Sequence, residues 1–393
     1  MSLSSVIDRS ALVVCVGPGG VGKTTVSAAL GLAAARAGRK TLVLTIDPAR
    51  RLADALGLDG LDDTIRRVPL EVLGPENHGG SLSAAMVDTG ASYDALIDRI
   101  APDAETKARV LANRVYQAVS RSLSRSHAYI AMERLYEAVE HGGYDLVILD
   151  TPPARNALDI LDAPGHLARF LDGRVVSWFI PSAEKPSGIG ARLVAKGGQM
   201  AMGLLTKVTG ETLLDEIVGF LTVFASMRDG FITRAQRAEE ILHSDDTAFV
   251  LVSSASPSSA DDAAWLRDDL LGRKVAVDAV IFNQSFVPVE PEAPHQLRVQ
   301  LPTIDTDARV RAVEPAADAQ TLAVARAMRA LREHAAADNQ RFQRIVDGLV
   351  NELPAQCRRV RAPRLDQEVR DLPGLDQLAQ LLLRGDQPGY AGP

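Results

Sequence analysis

Five short apolar runs punctuate the chain: LVVCV from Leu12, TLVLT from Thr41, DLVIL from Asp145, AFVLV from Ala248 and AVIF from Ala279. Their apolar positions are consecutive rather than alternating, which is the pattern of strands covered on both faces. Segments of helical composition separate them, beginning with the alanine-rich VSAALGLAAARAG from Val26. Strand, helix and strand recur as βαβ units, so the pattern predicts an α/β fold with a doubly wound, mainly parallel sheet.

Two intervals exceed what a simple crossover needs. The region between the second and third runs reads as mainly helical and ends near Gly142, and another region of roughly ninety residues lies between the third run and the fourth. We expect helical insertions at about 85–142 and 155–245 that pack together as a subdomain beside the sheet, because their apolar faces need cover. In the second insertion, Leu213, Ile217, Phe220, Phe224, Met227 and Phe231 recur at alternating spacings of four and three. Leu214, Val218 and Leu221 widen this stripe, which either packs inside the subdomain or forms a groove for an apolar client segment. The preceding KGGQMAMGLLTKVTG mixes glycine and methionine, a composition suited to an adaptable surface or a loose loop.

After Asn283 comes a proline-rich loop, then an Ala- and Arg-rich stretch from about Ala316 to Leu353, as one helix or two, stopped by Pro354. RRVRAP reads as a final strand and GLDQLAQLLL as a final helix, whereas GDQPGYAGP has too little apolar content to fold. The expectation is one domain over 1–384 and a flexible tail at 385–393.

Charge and composition remove several function classes. The 393 residues carry a net charge of −7 with Lys and Arg scattered, so no basic face is available to nucleic acid. Pairs such as Arg66 and Arg67 read as solvated surface. Cys15 and Cys357 lie far apart, and the seven histidines show no i, i+4 pairing, so neither a disulfide framework nor a structural zinc site is expected. MSLSSVIDRS lacks a basic segment ahead of a long apolar stretch, and no apolar run reaches the ~18 residues needed to span a bilayer. A cytoplasmic location fits this pattern.

Chemistry concentrates after the first run, where GPGGVGKTT spells G-x-x-x-x-G-K-T with Gly17, Gly22, Lys23 and Thr24. A strand before it and a helix after it supply the context of a phosphate-binding P-loop. Glycines let backbone N–H groups from Gly17 to Thr25, through Gly19, Gly20 and Val21, approach a polyphosphate; Lys23 adds charge and Thr24 offers a hydroxyl to Mg²⁺. Asp150 ends the run YDLVILD, where an acid can hold Mg²⁺ directly or through water, although a turn acid would look the same. Asp47 ends the second run, followed by Pro48, Arg50 and Arg51, and an Asp-Pro turn is its plainer reading.

Taken together, GGVGKTT, TIDPARRLADALG, DTPPARNALDIL and FNQ resemble the ArsA family of ATPases, in the MinD-like class of P-loop proteins, over nearly the whole chain. That family includes the arsenite-pump ATPase and the ATPase that delivers tail-anchored membrane proteins. The resemblance implies ATP with Mg²⁺, a first switch containing Asp47, Pro48 and Arg50, in which Asp47 activates the attacking water, and a second switch containing Asp150, Thr151 and Arg155. It places Asn283 against the adenine, with the loop around Pro363 closing over the base. It also implies a dimer that opens and closes with ATP or ADP, as a homodimer or with a related ATPase, and an apolar or membrane-associated partner at the helical subdomain.

Two features depart from the family pattern. Pro18 stands where the class usually carries a signature lysine that reaches the partner's phosphates, so Arg50, Arg51, Arg155 or a related subunit must supply that cation, or hydrolysis is slow. The C-x-x-C that clamps the eukaryotic tail-anchored-protein ATPase around zinc is absent. Two alternatives remain open: the ATPase subunit of an arsenite pump, which usually has two fused halves and a cysteine site, and a nucleotide-gated scaffold with little hydrolysis.

Overall fold

Consecutive apolar residues in a strand must face two different cores, and β1 (Leu12–Val16) does so. Leu12, Val14 and Val16 join one apolar cluster while Val13 and Cys15 join another on the opposite face. The same division holds for β5 (Leu146–Asp150), with Val147 and Leu149 on one side and Leu146 and Ile148 on the other. Side chains alternate across a strand, so a sheet with helices on both faces needs apolar residues at every position.

The computed structural model describes residues 2–47, 51–74, 79–87, 127–153, 228–254, 256–285, 340–365 and 367–384, most of 94–117 and 157–165, and single positions at 216, 219, 330, 334 and 337. The remaining strands are β2 (Lys40–Thr45), β3 (Arg66–Arg67), β4 (Ser81–Met86), β6 (Thr247–Ser254), β7 (Ala279–Ser285) and β8 (Arg358–Pro363). They form one eight-stranded sheet in the order β3-β4-β2-β5-β1-β6-β7-β8, in which every pairing is parallel except β3 with β4. All five runs read as strands lie in this sheet, as does RRVRAP.

Helices described are α1 (Leu3–Arg9), α2 (Lys23–Arg36), α3 (Arg51–Ala55), α4 (Ala104–Ala112), α5 (His127–Glu140), α6 (Arg228–Leu242), α7 (Pro257–Gly272), α8 (340–350) and α9 (Leu372–Arg384). α1, α2, α3 and α9 cover one face of the sheet, and α5, α6, α7 and α8 cover the other. Among the described residues no helix is long and apolar enough to cross a membrane.

The interval after β2 is not simply helical. β3, a 3₁₀ turn at Leu70–Leu73 and β4 come first, so the expected insertion start at about residue 85 falls inside a strand and must move past Met86. Serine and alanine give SLSAAM no β-branched signal; pairing with β2 from Lys40↔Ser81 to Thr45↔Met86 places it in the sheet. α1 was also missed, a seven-residue helix whose N-cap Ser2 accepts from the Ser5 N–H at 3.0 Å.

α5 and α6 belong to different expected insertions yet are joined to each other. Glu133, 1% exposed, accepts from Arg234 Nε at 2.6 Å, and that guanidinium lies 4.6 Å above the Tyr136 ring. Phe231, the last member of the apolar stripe, is buried with its ring 6.2 Å from Tyr129. The stripe from Leu213 to Met227 and the tail at 385–393 lie outside the described residues. Arg234→Ala leaves a buried carboxylate without its cation and is expected to lower stability by about 3 kcal/mol. Urea unfolding followed by circular dichroism measures this, and a loss below about 1 kcal/mol would place the pair among weak surface bridges.

Candidate functional site

The sheet order reverses at β1, whose neighbours are β5 and β6, and ligands of open α/β sheets bind in the crevice beyond the strand ends at such a point. The loop from Gly17 to Gly22 occupies it. A Cβ at Gly17 would lie 2.1 Å from the Val252 carbonyl oxygen, so only glycine lets the loop leave β1 so close to β6. Gly22 sits at φ 86° as the N-cap of α2, which has no side-chain cap there. The positive end of a fourteen-residue helix therefore faces the loop.

Lys23 is the first residue of α2, is buried, and donates from Nζ to the Pro18 carbonyl at 2.8 Å. Burial lowers its pKa; the charges of Asp150 and Asp47 act the other way, and that of Arg51 reinforces the lowering. Asp150, Asp47 and Arg51 are thus each in electrostatic reach of Lys23. Pro18 is itself buried, whereas Gly19 and Gly20 beside it are exposed. Val21 is buried and Thr25 half-buried.

Parallel pairing sets Thr45 at the end of β2 directly opposite Asp150 at the end of β5. Asp150 is fully buried, and its Oδ2 accepts from Thr24 Oγ1 at 2.8 Å and from Thr45 Oγ1 at 2.9 Å. Its Oδ1 accepts from Ser27 Oγ at 3.4 Å. Burial pushes the carboxyl up to about 6, against the pull of the Thr24 and Thr45 hydroxyls and the Lys23 charge. The Thr45 hydroxyl in turn accepts from the Asp47 backbone N–H at 3.2 Å. One hydroxyl therefore touches the backbone of the Asp47 segment and the Asp150 carboxylate together.

Thr45 and Ser27 were not legible as site residues. Ser27 follows Thr24 by three positions, on the same face of α2, and that spacing was the available signal. Thr151, next to Asp150, donates from Oγ1 to the Cys15 carbonyl at 2.7 Å. Asn283 on β7 donates from Nδ2 to the Val21 carbonyl at 2.8 Å and so belongs to the same cluster. Pro363 is the last residue of β8 rather than a loop residue, and it pairs with Ser285. Pro48, Arg50 and Arg155 lie outside the described residues.

The donor set suits Mg²⁺: oxygen atoms from Thr24 and Asp150 suit a hard cation that keeps waters and takes substrate phosphates as ligands. Among the described residues no three His, Cys, Asp or Glu side chains cluster as a metal cage. Both cysteines are buried, and burial pushes each thiol up to about 12.

Residues 10–300 match the family model described as an anion-transporting ATPase, ArsA ATPase. The ATPase get3 of Aspergillus terreus is 26% identical over 292 residues, 73% of this chain and 77% of the relative. An ATPase ASNA1 homolog of Leishmania braziliensis is 26% identical over 323 residues, 71% of this chain and 79% of the relative. ATPase ASNA1 homolog 1 of Paramecium tetraurelia is 28% identical over 177 residues, 44% of this chain and 49% of the relative. The matched span takes in the P-loop, Asp47, Asp150 and Asn283 and stops short of β8. A match from residue 10 to residue 300, together with a P-loop at the reversal point of a parallel sheet, means that this chain belongs to the ArsA family of ATPases.

Proposed function

We propose that the chain is a nucleotide-driven switch that works as a dimer, a homodimer or a heterodimer with a related ATPase, and couples ATP hydrolysis to a partner held by its helical insertions. The observation that carries this reading is the hydroxyl of Thr45, bonded to both the Asp47 N–H and the Asp150 carboxylate. The Asp47 backbone and the Asp150 carboxylate thus meet at one side chain, through which a shift of one would reach the other.

In this reading the backbone from Gly17 to Thr25 cradles the phosphates, and Lys23 leaves the Pro18 carbonyl to lie against them. Mg²⁺ would be held by the Thr24 hydroxyl, with Asp150 behind it through water, and would neutralise charge on the phosphates. Asp47 orients the attacking water. Pro48 and Arg50 on one side, and Thr151 and Arg155 on the other, move with the γ-phosphate and carry its state outward. Asn283 and Pro363 take the adenine. Arg51, whose charge is felt at Lys23, supplies part of the positive charge that Pro18 does not.

The proposed coupling route to the insertions is the α5–α6 pair, which Arg234 and the buried Glu133 join to each other. The expected site for an apolar client or membrane-associated partner is the stripe from Leu213 to Met227, since its last member, Phe231, is buried in the core beside Tyr129. The family description favours a second reading, the ATPase of an anion pump. Two buried thiols of raised pKa make a poor soft-ligand site for a metalloid, which weighs against that reading.

Light-scattering mass tests the switch. ATP is expected to favour a species of twice the mass seen in ADP, with turnover per chain rising with protein concentration. A constant monomer mass with concentration-independent turnover would contradict the dimer. A mixed-mass complex forming only with a related ATPase would select the heterodimer.

A further inference from the structure

We infer that Asn283 is a positioning residue for the phosphate loop as well as part of the base pocket, so that one side chain joins the two ends of the nucleotide site. The inference rests on the ATP reading above and assigns Asn283 a task that reading an adenine does not include.

Asn283 is 6% exposed, and its Nδ2 reaches across 262 residues of sequence to the Val21 carbonyl. The next residue, Gly22, is in the left-handed region at φ 86°, and a Cβ there would lie 2.4 Å from the same Nδ2. The loop backbone is therefore packed directly on this amide at the turn that precedes Lys23 and the start of α2. Among the described residues, it is the Asn283 side chain that fills the space where a side chain at residue 22 would go.

The end of β7 is shaped to aim that amide. Gln284 adopts φ 53°, one of two non-glycine residues in the left-handed region among those described. The β7–β8 register slips between Phe282 and Ser285. Ser285 Oγ then donates to the Ala362 carbonyl at 3.0 Å, and the Arg364 N–H donates to the Ser285 carbonyl at 3.1 Å. Before the slip, Phe282 is locked against Phe342 with ring centroids 5.6 Å apart. Backbone strain at Gln284 is held by bonds on both sides of it, which marks a conformation that packing imposes.

A primary amide has two N–H donors and one acceptor oxygen. With one N–H on the Val21 carbonyl, the orientation of the group is fixed. The second N–H and Oδ1 remain for a base edge that offers one acceptor and one donor, as the N7/N6 edge of adenine does. Removing the side chain frees the Val21–Gly22 turn, and affinity for a polyphosphate should fall even when the ligand has no base at all.

The experiment compares Mg·tripolyphosphate with Mg·ATP by calorimetric titration of wild type, Asn283→Ala and the similarly shaped Asn283→Leu. Both variants are expected to bind tripolyphosphate about fivefold or more weakly, the equivalent of one buried hydrogen bond, while nucleotide-free melting stays within about 3 °C of wild type. Variants that bind ATP weakly but tripolyphosphate as wild type does would overturn the inference and leave Asn283 a base reader alone. Wild type that binds neither ligand would instead contradict the ATP reading. Should both variants unfold, hydrogen exchange on wild type decides: adenosine alone is expected to slow exchange over residues 20–24 by about threefold, and unchanged exchange would overturn the coupling.

Discussion

Lys23→Ala is expected to reduce ATP turnover by about a thousandfold or more, since it removes a buried cation at the start of α2 beside the loop. The change also deletes a bond to the Pro18 carbonyl that holds the loop in its present shape. The nucleotide-free fold should tolerate this, because Lys23 is a buried charge whose pKa burial has already lowered. Malachite-green phosphate release and thermal melting of the same preparation separate the two effects. Turnover within about tenfold of wild type would mean that another cation carries the phosphate charge, and Arg51 would be the first to test.

Asp150→Asn is the second large effect, and its sign differs between activity and stability. Turnover should fall by about a hundredfold or more, because in the proposed Mg²⁺ site the amide would not help neutralise a cation held at Thr24. Stability should move the other way at high pH. Burial holds the Asp150 carboxyl at about 6, above its ordinary 3.8, so the folded state binds its proton more tightly than the unfolded chain does. The stability linked to this group is fully present below about 4 and is lost as pH rises through 6. Asparagine does not titrate, and the gap between variant and wild type should widen in the variant's favour by about 2 kcal/mol from pH 4 to pH 8. Urea unfolding of nucleotide-free protein at the two pH values measures it. A gap that stays constant would mean that Asp150 ionises in the fold as freely as in water.

What could be read from the sequence divides along a physical line. Strands such as β1 and β6 announce themselves because each is a run of β-branched or aromatic residues buried on both faces. β4 does not, because alanine and serine in SLSAAM are placed in the sheet by their neighbours rather than by their own preference. β3, with only Arg66 and Arg67, is too short to show a period. The P-loop was legible because its residues are contiguous and its chemistry needs a fixed spacing. Thr45 and Ser27 were not, since what makes them part of the site is Asp150, which reaches them from 105 and 123 residues away through strand pairing and helix packing.

Pro18 is the residue on which sequence and structure together say most. It stands where the class carries an outward-reaching lysine, yet here it is buried and turns its carbonyl to Lys23. Position 18 thus supplies no side-chain cation, while its carbonyl accepts from the Lys23 ammonium. Both facts bear on rate, and neither removes the acids or the hydroxyls from the site.

The most direct test of the account is steady-state phosphate release from Mg·ATP by the wild type and by Asp47→Asn, each with ATP affinity measured in parallel. If Asp47 acts as proposed, on the attacking water rather than on binding, the wild type turns over measurably, the variant loses about a hundredfold or more, and ATP affinity stays within about threefold between them. Equal turnover in the two proteins, or ATP binding without turnover in either, would contradict it.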